Sequence, residues 1–297
     1  MLELNLDELV MLSVMGEVAP PIVRDPYRIT HNGRPVALPG VGGITYNVRV
    51  GDSAIGWAAD HVEPGVSVIN REKHPLGDKI VNTALNMYAC IANTALVASG
   101  DAKGEKGLVT GKHGGIEHVL VDFKPEVLEK MFPGDRILIK SYGVGMEITN
   151  YPDIKVMNVD PQLLMSLDIN EMDGKLEVPV SCLVPAAIMG SGLGHNQVYT
   201  GDYDIQMFDE GTVLGYDLNK LRLGDIVAII DADHSFGRIY KKGAVSIGVV
   251  VHSDCVVAGH GPGVTTIMTC GAGRIEPRVD PKANIAYYLG LRTDIFK

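Results

Sequence analysis

Met131-Phe132-Pro133-Gly134-Asp135-Arg136-Ile137-Leu138-Ile139 is echoed further along the chain by Leu221-Arg222-Leu223-Gly224-Asp225-Ile226-Val227-Ala228-Ile229. Each reads as an apolar turn, then Gly-Asp, then a strand. Glycine supplies the positive φ that reverses the chain, and the run rich in β-branched residues after it suits a pleated, half-buried surface. Val62-Glu63-Pro64-Gly65-Val66-Ser67-Val68-Ile69 is a looser third copy. Units of this kind recur in compact barrels and sandwiches. The 35 glycines among 297 residues exceed the usual share of about 7%, so tight turns and short strands should be numerous. The expected fold is β-rich α+β, with two lobes built from short-stranded barrels or sandwiches and a few helices.

Length is compatible with two lobes of ordinary size. We place the N-terminal β-rich lobe at residues 1–170 and the C-terminal β-rich lobe, carrying most of the candidate site, at 171–297. The acidic, proline-bearing segment 168–179 serves as the linker. Asn5 is set to cap a short helix in which Asp7 and Glu8 favour the positive end and Leu6, Leu9, Val10 and Val14 give helical spacing. Ile44, Tyr46, Val48 and Val50 alternate with polar residues and predict a strand. Asn-Thr-Ala-Leu occurs at Asn82 and again at Asn93, a spacing that fits a solenoid poorly and reads as coincidence. A glycine-rich loop or hairpin reaches His113 and is followed by a strand over 116–123.

A net charge of −10 with no long basic run argues against a nucleic-acid backbone as partner. No apolar stretch is long enough to span a membrane, and the first residues are acidic where a secretory signal would be basic. The expected setting is the cytoplasm and the expected partner a small-molecule ligand. Assembly as a homo-oligomer is expected from how common symmetric assemblies are. Cys90, Cys182, Cys255 and Cys270 form no CxxC pair and read as buried thiols.

Chemistry-bearing residues cluster beside glycines. In Gly190-Ser191-Gly192-Leu193-Gly194-His195, followed by Gly201-Asp202-Tyr203-Asp204, the alternating glycines Gly190, Gly192 and Gly194 expose backbone N–H groups to a cofactor or ligand. His195 is a metal ligand by type, and Asp202 and Asp204 offer catalytic acid and base groups. In Val251-His252-Ser253-Asp254-Cys255, followed by Gly259-His260-Gly261-Pro262-Gly263, polar groups end an apolar strand. His252, Asp254 and His260 could converge on a divalent cation beside Gly261 and Gly263, and Cys255 could ligate zinc or act as a nucleophile if a neighbour lowered its pKa. His113 and His118 flank a Gly-Gly turn, and Glu117 and His118 should face opposite sides of one strand. Asp231 and Asp233 should share a face of the strand beginning at Ile226 and could hold a hard cation together. Ser191 lacks the Gly-x-Ser-x-Gly elbow, and neither a P-loop nor a convincing Rossmann fingerprint is present.

The His-Gly-Gly loop, Gly-Ser-Gly-Leu-Gly-His, Gly-Asp-Tyr-Asp, Val-His-Ser-Asp-Cys and Gly-His-Gly-Pro-Gly together resemble a prokaryotic family of hypothetical proteins, a domain of unknown function, through most of the chain. A fainter local resemblance is to the β-rich amide hydrolases of the acetamidase/formamidase family. Pro185 and His195 keep that family's spacing, Gly201-Asp202 matches its Gly-Asp pair with Asp204 where it has Glu, and His113-Gly114-Gly115 resembles its His-Gly-Gly. His195 to Gly201 is two residues longer than in that pattern, Ile116 replaces an Asn, and a long stretch separates the two motifs.

Two functions follow as expectations. One is a metal-dependent hydrolase of a small amide-like or carboxylate substrate, with zinc, manganese or iron on His113, His195, His252, Asp254 and His260 and with Asp202 or Asp204 moving the proton. The other is a non-catalytic small-molecule or anion-binding homo-oligomer whose glycine loops donate backbone N–H groups.

Overall fold

The computed structural model describes residues 2–23, 25–193 and 197–296, with side chains undescribed at 191–193. Six strands of the first lobe close on themselves. Leu12–Val18 (β1), Gly65–Ile69 (β2), Thr94–Val97 (β3), Lys106–His113 (β4), His118–Asp122 (β5) and Arg136–Ser141 (β6) run in the order β1-β6-β3-β4-β5-β2. The pairs Glu17↔Ile69 and Val18↔Val68 bring β2 back to β1 and complete the barrel, leaving no free edge in the ring. Val66, Val68, Val97, Val109, Val119, Val121, Ile137 and Ile139 form its core.

The second lobe is an open sheet. Its strands Cys182–Pro185 (β7), Met189–Leu193 (β8), Tyr203–Ile205 (β9), Ile226–Asp233 (β10), Ile239–His252 (β11) and Gly263–Cys270 (β12) lie in the order β7-β10-β11-β12-β9-β8. Only β7 and β10 in this order pair in parallel. A smaller sheet of Asn170–Met172, Lys175–Val180 and Ile275–Val279 packs beside it. The molecule is therefore a β-rich α+β protein of two lobes, one a barrel and one a partly rolled sheet.

The Gly-Asp echo marks equivalent turns. Gly134 and Gly224 take φ +94° and +85°, and the buried carboxylates of Asp135 and Asp225 accept the backbone N–H groups of Phe132 at 2.9 Å and Arg222 at 2.8 Å. Asn-Thr-Ala-Leu lies in the helix Ile80–Tyr88 at its first occurrence and enters β3 at its second, so the repeat is not structural.

Three local expectations are corrected. The N-terminal helix is only a 3₁₀ turn, Leu6–Glu8, and Asn5 does not cap it. Its side chain instead holds Gly145 O and the N–H of Glu147, while six residues of β1 pair with β6, so barrel closure outweighs helical spacing. The strand predicted from Ile44 shrinks to Ile44–Thr45 because the chain then leaves the barrel, its Gly51 and Ala54 N–H groups bonding the carbonyls of Leu223 and Leu221 in the second lobe. Segment 168–179 is no loose connector: it forms two strands of the small sheet and buries Leu176 and Val178.

The pair Asp231 and Asp233 is also separated. A bulge in β10 puts Asp231 at φ +61°, where its carboxylate accepts Gly243 N–H, and Asp233 turns to Ser235. At the same strand end His234 is fully buried, its Nδ1 2.8 Å from Thr266 Oγ1 and its ring against Tyr203. Burial pushes its pKa down to about 4. The unfolded chain therefore binds a proton between about pH 6.5 and 4 that the folded chain refuses, so this stability is present above pH 6.5 and lost as pH falls toward 4. At 1.36 kcal/mol per pH unit the loss amounts to about 3 kcal/mol. Urea midpoints at pH 7 and 5 should differ by less in His234→Gln than in the parent; equal differences would refute the assignment.

Candidate metal centre

The lobes meet where β4 ends over β11 and β12. Thr265 Oγ1 accepts Lys112 N–H and donates to Lys112 O, and a side chain at Gly111 would collide with Val251 at 2.2 Å. The same crossing sets His113, the last residue of β4, against His252, the last of β11, with ring centroids 4.1 Å apart. A third segment completes the junction: His61 N–H bonds Asp254 O, while Val62 and Ser253 exchange two hydrogen bonds. His61 sits at φ +55°, a conformation uncommon outside glycine that turns its ring into the site.

The buried residues His113, Asp202 and His252 each place one donor atom within 4.8 Å of the others. The hydrogen bonds behind them decide which atoms face inward. His113 Nδ1 lies 2.5 Å from Glu63 Oε1, so an N–H donates there and Nε2 is left free. His252 Nδ1 donates to Ser253 O at 2.9 Å, which likewise frees Nε2. That Nε2 lies 2.7 Å from Asp202 Oδ2, yet the geometry is not that of a hydrogen bond and both buried atoms lack a partner. A carboxylate oxygen this close to an imidazole nitrogen in a dry interior calls for positive charge at the contact, supplied either by a proton on Nε2 or by a cation beside the pair. Asp202 is fixed through its other oxygen, which accepts Gly114 N–H at 2.6 Å.

Glu63 supports the arrangement from behind. Its carboxylate, 1% exposed, accepts His113, His118, Ser67 Oγ and Gly42 N–H. Burial acts to raise its pKa, but the two imidazoles outweigh that and hold it well below the usual range. Burial and the nearby His252 push His113 down, so the pair is a neutral imidazole donating to a carboxylate. A carboxylate in this position fixes the tautomer of the imidazole, as outer-shell carboxylates do for histidines that bind metals. Burial disfavours the charged form of His252, yet Asp202 and Asp204 raise its pKa well above normal, which expresses the same demand for positive charge at Nε2.

Asp204 is the neighbouring carboxylate. One oxygen lies 3.6 Å from His252 Nε2, and the other lies 2.9 Å from His260 Nδ1 and 3.6 Å from His61 Nε2. Burial acts to raise its pKa, but the three histidines around it outweigh that and hold it well below the usual carboxylate range. His260, with its side chain 37% exposed, is the ring of this group that reaches solvent.

Of the residues singled out in the sequence, His113, Asp202, His252, Asp204 and His260 come together here. Asp254 stands aside, its Oδ2 accepting Gly56 N–H at 3.1 Å, and it belongs to neither donor group. Cys255 is buried against Asp60, and burial together with that carboxylate pushes its thiol far up, contrary to a free nucleophile. Gly192 lies within β8, and Gly194 and His195 fall outside the described residues.

The other glycines permit close packing. A Cβ at Gly190 would meet Gly259 O at 2.1 Å, and one at Gly261 would meet Ile205 O at 1.7 Å, although Gly261 N–H also reaches Asp204 at 3.3 Å. At Gly263 a Cβ would lie 1.9 Å from Asp202 Oδ2 and 2.1 Å from His252 Nε2. Gly263→Ala should therefore displace these two donors, costing about 1–3 kcal/mol as overpacking does, and abolish metal uptake at the His113, Asp202 and His252 position. Calorimetric metal titration of the folded variant checks this; unchanged uptake would refute it.

Sequence reasoning missed His61 and Glu63. Neither is flanked by the alternating glycines that drew attention elsewhere; the available signal was Asp60-His61-Val62-Glu63 immediately before the strand at Gly65.

Barrel, open sheet and a buried histidine–carboxylate cluster at their junction define a two-lobed β protein whose junction groups donor atoms that could hold a metal ion. The chain belongs to the DUF4438 family: the description "Domain of unknown function (DUF4438), N-terminal" matches residues 27–165, and its C-terminal counterpart matches residues 166–289. The crystal structure of TM1086 is similar at 52% identity and TM-score 0.90, over 97% of this chain and 99% of that one. No curated protein matches.

Proposed function

We propose that the protein is a divalent-metal-dependent hydrolase of a small amide-like or carboxylate substrate. The observation that carries this is the convergence of buried His113, Asp202 and His252, with Nε2 of His252 2.7 Å from Asp202 Oδ2 and Nε2 of His113 left free by the bond from its Nδ1 to Glu63. Two histidines and one carboxylate are a donor set that holds catalytic zinc or iron with positions left open for water and substrate. Such an ion would polarise a carbonyl and lower the pKa of its water to about 7. With a single ion bound, Asp204, ionised and facing the same space, would be the base that accepts the proton, and His260 at the solvent edge would pass it on. His113 and Asp202 also carry the acetamidase/formamidase resemblance, which favours an amide. Free, buried thiols at all four cysteines accord with a reducing compartment, the cytoplasm, and among the described residues no helix is long and apolar enough to cross a membrane.

Elemental mass spectrometry on protein purified without a His tag or chelator tests the reading. Near-stoichiometric zinc, manganese or iron is expected, followed by metal-dependent release of ammonia from formamide or related small amides. No metal as purified, and none taken up on reconstitution, would overturn it.

A further inference from the structure

We propose that a second transition-metal ion binds beside the first, on His61, Cys255 and His260, with Asp204 bridging the two positions; this rests on the metal reading of His113, Asp202 and His252.

One donor atom of each of His61, Cys255 and His260 lies within 4.8 Å of the others, a grouping separate in membership from the first. The local design repeats that of the first position. His61 Nδ1 lies 3.2 Å from Asp60 Oδ1, a looser ion-pair contact than the 2.5 Å bond of His113 Nδ1 to Glu63, and its Nε2 lies on the opposite side of the ring, 3.6 Å from Asp204 Oδ2. Asp60 is itself anchored by Arg28 at 3.2 Å. Cys255 Sγ approaches the same Asp60 oxygen at 2.8 Å, which places the sulfur at the floor of the group.

Asp204 connects the two sets. It offers one oxygen to His252 and the other to His61 and His260, the disposition of a carboxylate shared by two ions. The His61 ring centroid is 5.1 Å from that of His252 and 5.6 Å from that of His113, close enough for ions at the spacing of about 3.5–4 Å usual in two-metal sites. Four imidazoles packed at such distances cannot all carry protons without mutual repulsion, whereas neutral rings present lone pairs to shared cations. The two positions differ in chemistry. Two histidines and a thiolate favour zinc over magnesium, calcium or manganese, while the nitrogen and oxygen set of the first position is more permissive. On binding, the Cys255 thiol gives up its proton to solvent and the sulfur ligates as thiolate.

The test is a cobalt(II) titration of the full chain after dialysis against chelator. Two equivalents per chain are expected, with a near-ultraviolet thiolate-to-cobalt charge-transfer band. Cys255→Ser should lose the band and one equivalent and keep the other. His260→Gln, at the partly exposed edge, should also keep one, and it carries the test if the serine variant does not fold. One equivalent with no thiolate band in the parent would overturn the second position and leave the hydrolase reading standing. One equivalent that carries the band would overturn the bridged pair and the first position with it, and no uptake at all would overturn both.

Discussion

His252→Ala is expected to destabilise the protein by about 3–5 kcal/mol, the usual cost of removing one partner of a buried pair, and to eliminate metal at the His113, Asp202 and His252 position. The ring is fully buried and its Nε2 is 2.7 Å from Asp202 Oδ2. Without it, the Asp202 carboxylate remains in the interior, still pinned to Gly114 N–H, with no counter-charge at its other oxygen. Asp204 loses one of its three histidines as well. Urea unfolding in chelator isolates the cost of the pair. With zinc at a thousand times its Kd the difference between parent and variant should grow by about 4 kcal/mol, because only the parent gains the binding free energy. A variant of parental stability that still binds one equivalent through His113 and Asp202 would show that the contact is not coupled to the cation.

How much of this was legible in the sequence depends on whether the determinant is local. The Gly-Asp echo could be read because positive φ at Gly134 and Gly224 and the carboxylate reaching back three residues are properties of the turn itself. The β-rich, two-lobed class followed from it. β1 was misread as part of a helix because Val10 and Val14 fit that spacing. The pairing of Leu12–Val18 with both β6 and β2, which settles its conformation, joins residues far apart in the chain. The site divides in the same way. His113, Asp202 and His260 are flanked by glycines in the sequence, and the missing side chain at Gly263 makes room for Asp202 and His252. The segment of His61 and Glu63 enters through His61 N–H on Asp254 O, the two bonds between Val62 and Ser253, and the Glu63 carboxylate on Gly42 N–H, contacts that no spacing in the sequence encodes.

Glu63→Gln is expected to weaken metal binding 10–100-fold or more, the usual effect of losing an outer-shell partner, although Glu63 touches no proposed ion. All its neighbours donate. Oε1 receives His113 and His118 Nδ1–H, and Oε2 receives Gly42 N–H and Ser67 Oγ–H as well as His118. Glutamine must point its NH₂ at one of these sides. If it faces the histidines, His113 relieves the clash by moving its proton to Nε2, the atom needed for metal, and the lone pair is lost. If it faces Gly42 and Ser67, a buried N–H is left unpaired, at about 1–3 kcal/mol, and His113 faces an amide oxygen that orients it less strongly than the carboxylate. Either way affinity falls in a folded protein, which separates Glu63 from a residue that merely fills space. Zinc competition against a chromophoric chelator measures the change, with circular dichroism confirming the fold. His118→Asn is the control: it removes a donor to Glu63 but leaves the Glu63–His113 bond, so its affinity should stay closer to the parent's. Equal affinities for Glu63→Gln and the parent would mean that the tautomer of His113 is set elsewhere and that its Nε2 is not the metal-facing atom.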